Sequence, residues 1–135
     1  MSRSGYSDDC DGWRLIMWRG AVTSAIKGSR GQQFLRELAE GMDAMPVKEL
    51  IANALVADGA YCAMGVVGAK RGVDMSKIDP DEPSQVSKAF DIAAALAQEI
   101  AFINDDDYSY RNDDPARRWH RVRRWVDSQI VKATK

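Results

Sequence analysis

The densest chemistry in the chain is RRWHRVRRW, residues 117–125, which puts five arginines, two tryptophans and the only histidine into nine positions. Guanidinium groups hold phosphates and carboxylates through paired, charge-assisted hydrogen bonds. Tryptophan beside them is either a stacking platform for a base or a flat anchor to a core. On a helix turning about 100° per residue, Trp119, Val122, Val126, Ile130 and Ala133 share one stripe. Arg117, Arg118, Arg121, Arg124 and Lys132 share the other side, with Trp125 at the seam. The spacing predicts an amphipathic helix over 116–133 whose tryptophans anchor it to the core. It does not account for a wet face that is almost purely cationic. Asp127 is the only acid from 116 to 135, whereas an ordinary solvated helix mixes signs at (i, i+4). Such a face suits phosphates or an acidic protein patch.

Just before it, NDDDYSYRNDD (104–114) carries five aspartates and one arginine, a net −4. Residues 115–135 then carry five arginines and two lysines against Asp127, a net +6, inside a chain whose overall charge is −1. Opposed runs either neutralise each other within the fold or meet different partners. The candidate contact residues are thus Asp105, Asp106, Asp107, Asp113 and Asp114 on the acidic side. On the basic side they are Arg117, Arg118, Arg121, Arg124 and Lys132. The aspartates would repel a nucleic-acid backbone, and arginine and tryptophan dominate protein–protein hot spots, so the balance tips toward a protein partner.

Other constellations carry less. The aspartates lack the central glycine and terminal glutamate of a calcium loop. Cys10, Cys62 and His120 do not make a four-ligand zinc set or a disulfide framework, and nothing in the spacing brings Cys62 to His120 as a nucleophile and base. GVVG (65–68) lacks the lysine and hydroxyl of a phosphate loop, and no nucleophile elbow, dinucleotide fingerprint or HExxH is present. No catalytic residue, metal or cofactor is therefore assigned, and an enzyme is the least favoured class. VSKAFDIAAALAQEI (86–100) has the outline of a helix–turn–helix with its turn at Phe90-Asp91-Ile92. Its second helix, Ala93–Ile103, offers only Gln98, Glu99 and Asn104 to base edges, so it reads as a core helix pair.

These residues need a scaffold, and 135 residues with 45% apolar and 29% charged side chains fit one globular domain. Residues 1–11 read as a polar lead-in without the basic-then-apolar order of a signal peptide, and no apolar run is long enough to cross a bilayer. The expected location is the bacterial cytoplasm. WRLIMWRGAVTSAIK (13–27) is apolar nearly all round and is expected at the centre of the domain. GSRG (28–31) reads as a turn, and 32–45 as an amphipathic helix burying Phe34, Leu35, Leu38, Met42 and Met45. Residues 47–59 fit a helix stopped by Gly59, with room for one short strand pair near 47–64. Residues 60–72 read as a tightly packed helix with close approaches at Gly65 and Gly68. Residues 73–85 form a loop with Ser84 as the next cap, 104–114 an acidic loop, and Pro115 opens the basic C-terminal helix (115–135). The fold expected is mainly α, a compact single-domain bundle of five or six helices.

Five stretches resemble a group of small phage and prophage proteins of proteobacteria: SGYSDDCDGW (4–13), RGAVTSAIKGSRGQQFLRE (19–37), CAMGVVGAKRGVDM (62–75), AFDIAAALAQEIAFIND (89–105) and RRWHRVRRWV (117–126). The resemblance covers most of the chain and carries over no catalytic residue. It implies a phage context, in which small proteins without enzyme motifs bind and block host or defence complexes, inhibitors of CRISPR effectors among them. The expectation is a non-enzymatic interaction protein of that kind. The alternatives are a nucleic-acid-binding module using the basic helix, or a phage structural or assembly protein.

Overall fold

The computed structural model describes residues 12–105 and 114–131. The polar lead-in, Asp106, Asp107, Asp113, Lys132 and Ala133 lie outside the described residues. Among the described residues the fold is mainly helical, 68%, with six helices and one two-stranded antiparallel sheet. In order these are α1 (Gly12–Lys27), α2 (Ser29–Asp43), β1 (Val56–Ala57), β2 (Ala60–Tyr61), α3 (Ala63–Arg71), a 3-10 turn (Met75–Lys77), α4 (Pro83–Phe90), α5 (Ala94–Asp105) and α6 (Pro115–Gln129). No described helix is long and apolar enough to cross a membrane.

The centre of the bundle is α5, not α1. α5 packs against α1, α3, α4 and α6, and its Leu96, Ala97, Ile100, Ala101 and Ile103 are buried. Its alanines let neighbouring backbones approach from several sides. α1 meets chiefly α5 and α2. It buries Val22 and Ile26 but leaves Met17 60% exposed. An apolar circumference did not place α1 at the centre: of its described side chains only Val22 and Ile26 are buried.

α2 follows its pattern, burying Phe34, Leu35, Leu38, Ala39 and Met42, with Met45 half-buried just beyond it. The turn expected over 28–31 narrows to Gly28, since α2 already begins at Ser29. Gly31 sits so close to α1 that a Cβ there would lie 1.9 Å from the Ala25 carbonyl oxygen.

The helix expected over 47–59 does not form. Leu50 and Leu55 are buried, but from irregular chain. Asn53 and Asp58 take left-handed φ angles of 64° and 52°, and Gly59 one of 78°. Asp58-Gly59 is a two-residue turn with both φ positive, the geometry that matches the twist of a tight hairpin. It pairs Val56 with Tyr61 and Ala57 with Ala60, so the short strand pair allowed for near 47–64 is present. Cys62 then caps α3, its Sγ accepting from the Gly65 N–H at 3.4 Å.

The glycines of α3 are close approaches, as their composition suggested. A Cβ at Gly65 would stand 2.0 Å from the Leu55 carbonyl oxygen, and one at Gly68 would stand 2.5 Å from Met75 Sδ and 3.2 Å from Phe90 Cζ. α4 starts at Pro83 with Glu82 as its cap position, one turn-setting proline ahead of the expected Ser84. It ends at Asp91 in the left-handed region, φ 54°, which separates α4 from α5. The second helix of that pair is the buried α5, so the outline of a DNA reader resolves into a core helix pair.

α6 begins at Pro115, as expected, with the Asp114 carboxylate accepting from the Arg117 N–H at 2.8 Å. It ends at Gln129 and buries Trp119, Val122 and Val126.

Packing around the two glycine types gives a paired prediction. Gly65→Ala drives a methyl into backbone and should cost about 1–3 kcal/mol in urea unfolding. A Cβ at Gly20, in mid-α1, meets nothing within 4 Å, so Gly20→Ala should be neutral or raise stability by up to about 1 kcal/mol. Equal midpoints for the two variants would contradict the packing of α3 on the 50–55 segment.

Candidate interaction surface

The arginines expected on one wet face of α6 divide into two groups. Arg118 turns inward and donates from Nη1 to the Leu50 carbonyl at 2.8 Å. Arg121 does the same from Nε to the Ile103 carbonyl at 3.2 Å and from Nη2 to the Asn104 carbonyl at 3.1 Å. Both are half-buried, so these two of the expected contact residues act in the fold. The reason is geometric. The irregular 46–62 segment brings the Leu50 carbonyl beside α6, the last turn of α5 brings those of Ile103 and Asn104, and carbonyls withdrawn from water take the nearest good donor.

Arg117, His120 and Arg124 point outward and are exposed. Successive separations of three and four residues place them on one ridge of the helix. Arg117 also lies 3.6 Å from the capping Asp114. The His120 ring stands edge-on to Trp119, centroids 5.1 Å apart. Trp119 is held from its other surroundings by Lys48, whose Nζ lies 5.5 Å from the ring centroid. Lys48 itself donates to the carbonyls of Met42, Asp43 and Met45, where a cation complements the negative end of α2.

Beside the ridge lies an open depression of about 460 Å³ lined by Asp43, Trp119, His120, Arg123, Arg124 and Asp127. Arg123 forms its wall. Its Nε and Nη2 donate to the two oxygens of Asp43 at 2.8 and 3.1 Å, and Asp127 stands 3.9 Å away on the next turn. Hydrogen bonding from Arg123 holds the Asp43 carboxyl below its ordinary range, against the smaller opposing effect of burial. The same bond raises the Arg123 value. Arg123 was not among the expected contact residues. Its place off the cationic stripe, on the Trp119 side, was the available sign that it serves a different contact.

The acidic candidates divide as well. Asp105 is taken up inside, accepting from the Asn53 N–H at 3.0 Å and from Asn104 Nδ2 at 2.8 Å. Asp114 caps α6. The structure therefore does not join the two as an outward patch, and Asp106, Asp107 and Asp113 lie outside the described residues.

Three polar side chains among the described residues are buried, Gln32, Glu99 and Asn104, and their burial went unread in the sequence. Glu99 is 3% exposed, and both its oxygens accept from Arg19 Nη1 at 2.9 Å. Its position between the core residues Leu96 and Ile100 was the signal. Asn104, fully buried, accepts from the Ala63 N–H at 3.1 Å and donates to the Ile51 carbonyl at 2.8 Å. Cys62 and His120 are not brought together: the first is buried at the start of α3 and the second is exposed on α6.

Comparison with known protein families, with curated proteins and with solved structures returned no match, so the chemistry of this surface is read from its own residues.

The ion pairs that tie the helices give a pH dependence. Hydrogen bonding from Arg71 lowers the Glu37 carboxyl as Arg123 lowers Asp43. A carboxyl lowered in the folded state adds stability that is complete above its unfolded value and drains away as pH falls through the folded one. Thermal midpoints should thus be level from neutral pH to about 4.5 and fall below it. The variant Glu37→Gln/Asp43→Asn should have a lower midpoint at pH 7 and a shallower fall in acid. An unchanged slope in that variant would show that the two pairs do not govern acid stability.

Proposed function

We propose that this is a phage-derived, non-enzymatic interaction protein that binds and blocks a bacterial host or defence complex inside the cell, in the manner of an inhibitor of CRISPR effectors. The observation that carries this reading is the division of the α6 arginines. Three of the five are engaged with the fold, through main-chain carbonyls or Asp43. What faces outward is a short, rigid, cationic ridge beside a tryptophan. Exposed arginines on a helix anchored by its buried tryptophan suit a protein contact. The resemblance to phage proteins supplies the biological setting.

The nucleic-acid reading loses support from the same division. Binding along a phosphate backbone draws its affinity from many simultaneous cation–phosphate contacts. Arg118 and Arg121, two of the four arginines assigned to that task, are turned to carbonyls.

Two measurements test the proposal. The tagged protein, purified from its bacterial host with and without nuclease, should bring down a discrete protein complex that survives nuclease. Its expression should also restore plaquing of a phage that the host's CRISPR system targets. Nucleic acid alone in the eluate, lost at high salt, would replace this reading with the binding module. A stable homo-oligomer with no host protein would point to a phage assembly role.

A further inference from the structure

From the ridge Arg117–His120–Arg124 we infer a docking site for an acidic helix: one face of a partner helix whose carboxylates repeat with the ridge's own spacing. The inference deepens the proposed interaction role and rests on it for biological meaning, though not for its geometry.

The ridge is a single file. Separations of three and four residues correspond to rises of about 4.5 and 6 Å, spanning about 10.5 Å in all. On the Trp119 flank, Arg123 is already matched by Asp43 and Asp127. On the other flank, Arg118 and Arg121 bond to the carbonyls of Leu50, Ile103 and Asn104. The outward arginines therefore form a line, with Arg117 63% exposed at its side chain and 3.6 Å from Asp114 at the start of the file, and Arg124 exposed beyond it. A second helix carrying Glu or Asp at i, i+3 and i+7 repeats those rises. Laid antiparallel, the matching set is i, i+4 and i+7. Each guanidinium offers a planar fork that takes a carboxylate through two parallel hydrogen bonds, and the exposed imidazole adds a donor between them. The depression next to the ridge gives a neighbouring side chain of the partner a place against Trp119 and the self-neutralised Arg123 wall.

Charge complementarity selects a protein over a nucleic acid here. Asp114 and Asp127, their side chains 55% and 67% exposed, border the file toward its two ends. A continuous phosphate track running along the helix would meet both carboxylates. A partner helix places discrete charges and can set its acids between them.

The probe is a fluorescein-labelled, alanine-rich peptide of about 20 residues, long enough to hold helix in water, with glutamates along one face. A second peptide of the same composition spreads them round the helix. A single-stranded oligothymidylate serves as the nucleic-acid comparison. Fluorescence anisotropy with the full chain should show the one-faced peptide bound more tightly than the other two. Arg117→Glu/Arg124→Glu should weaken it about tenfold or more, since each reversal replaces an attraction with a repulsion. His120→Ala should weaken it less. Arg30→Glu/Lys88→Glu, at exposed positions on α2 and α4, makes the same change of charge elsewhere and should change affinity less than twofold. Circular dichroism and thermal midpoints establish that each variant is folded.

Equal binding of both peptides would overturn the inference, because net charge alone would then suffice. So would tighter binding of the oligothymidylate, or equal affinity of wild type and the double reversal. Failure to bind the one-faced peptide, with a host complex still captured, would remove this site and leave the proposed function standing. Facial binding that depends on Arg117 and Arg124, with no host complex and no effect on phage plaquing, would do the reverse.

Discussion

The buried amide of Asn104 is the interaction on which the rest of this structure most depends. Between α2 and α3 the chain runs through nineteen residues, 44–62, whose regular structure is a two-pair hairpin extended by the Ile51–Tyr61 and Cys62–Leu55 backbone bonds. Main-chain groups withdrawn from water need partners, and here side chains of α5 and α6 supply them. Asn104 bonds Ala63 N–H and the Ile51 carbonyl, and Asp105 takes Asn53 N–H. Arg118 takes the Leu50 carbonyl, while Leu50 N–H reaches the Pro115 carbonyl. One buried group left unmatched costs about 1–3 kcal/mol, and removing the amide would strand groups on both sides of it. The surface of α6 follows from this. Because Arg118 and Arg121 are drawn to the loop and the adjoining end of α5, the outward arginines of α6 contract to Arg117 and Arg124, with His120 between them.

That dependence marks where the sequence could be read and where it could not. Local, periodic information came through. α2, the glycine-tight α3 and the Trp119–Val122–Val126 stripe follow from spacing within one element. So do the start of α6 at Pro115 and the mainly helical class. The segment 47–59 misled because Leu50, Ile51, Ala54 and Leu55 fit helical spacing. The residues that decide its shape are Asn53, Asp58 and Gly59, all at positive φ. Asp58-Gly59 between Val56-Ala57 and Ala60-Tyr61 was a legible hairpin signal, outweighed by periodicity. The site was half legible. Periodicity gave the outward position of Arg117 and Arg124. It could not give the inward turn of Arg118 and Arg121, since that is set by the Leu50 carbonyl of a distant loop and by the Ile103 and Asn104 carbonyls at the end of α5. The Arg123–Asp43 and Arg19–Glu99 bonds each join residues 80 positions apart, beyond the reach of any local pattern.

Arginine–carboxylate bonds recur at the seams between helices. Arg19–Glu99 joins α1 to α5, Arg71–Glu37 joins α3 to α2, and Arg123–Asp43 joins α6 to α2. Arg71 also reaches the Phe90 carbonyl at the end of α4 and lies over the Phe34 ring, 5.5 Å from its centroid. Removing one partner of a buried pair is costly because the other charge is left stranded. That applies most to Glu99, at 3% exposure. A chain near neutrality can therefore carry a high charge content and still show little unmatched charge at these seams. Of the described charges at 114–127, Asp114 caps α6, and Arg118, Arg121 and Arg123 attach it to its neighbours.

A recognition ridge is selective only if its groups hold their spacing before the partner arrives, because ordering them on contact subtracts from affinity. α6 is fixed at both ends. At its start, Asp114 caps the first turn and Leu50 N–H binds the Pro115 carbonyl. At its end, the buried Gln32 of α2 donates to the Gln129 carbonyl and accepts from Val131 N–H, and Arg36 donates to the Val131 carbonyl. Gln32 also holds the Ile26 carbonyl at the end of α1, so one amide locks the C-terminal end of α6 to the α1–α2 junction. Between these clamps the buried stripe of Trp119, Val122 and Val126 sets the rotation of the helix. The inward arginines reinforce that setting from one flank and the Arg123–Asp43 bond from the other. The direction in which Arg117, His120 and Arg124 face is thus decided by the core and by its loop, and the cationic ridge is as rigid as the fold that carries it.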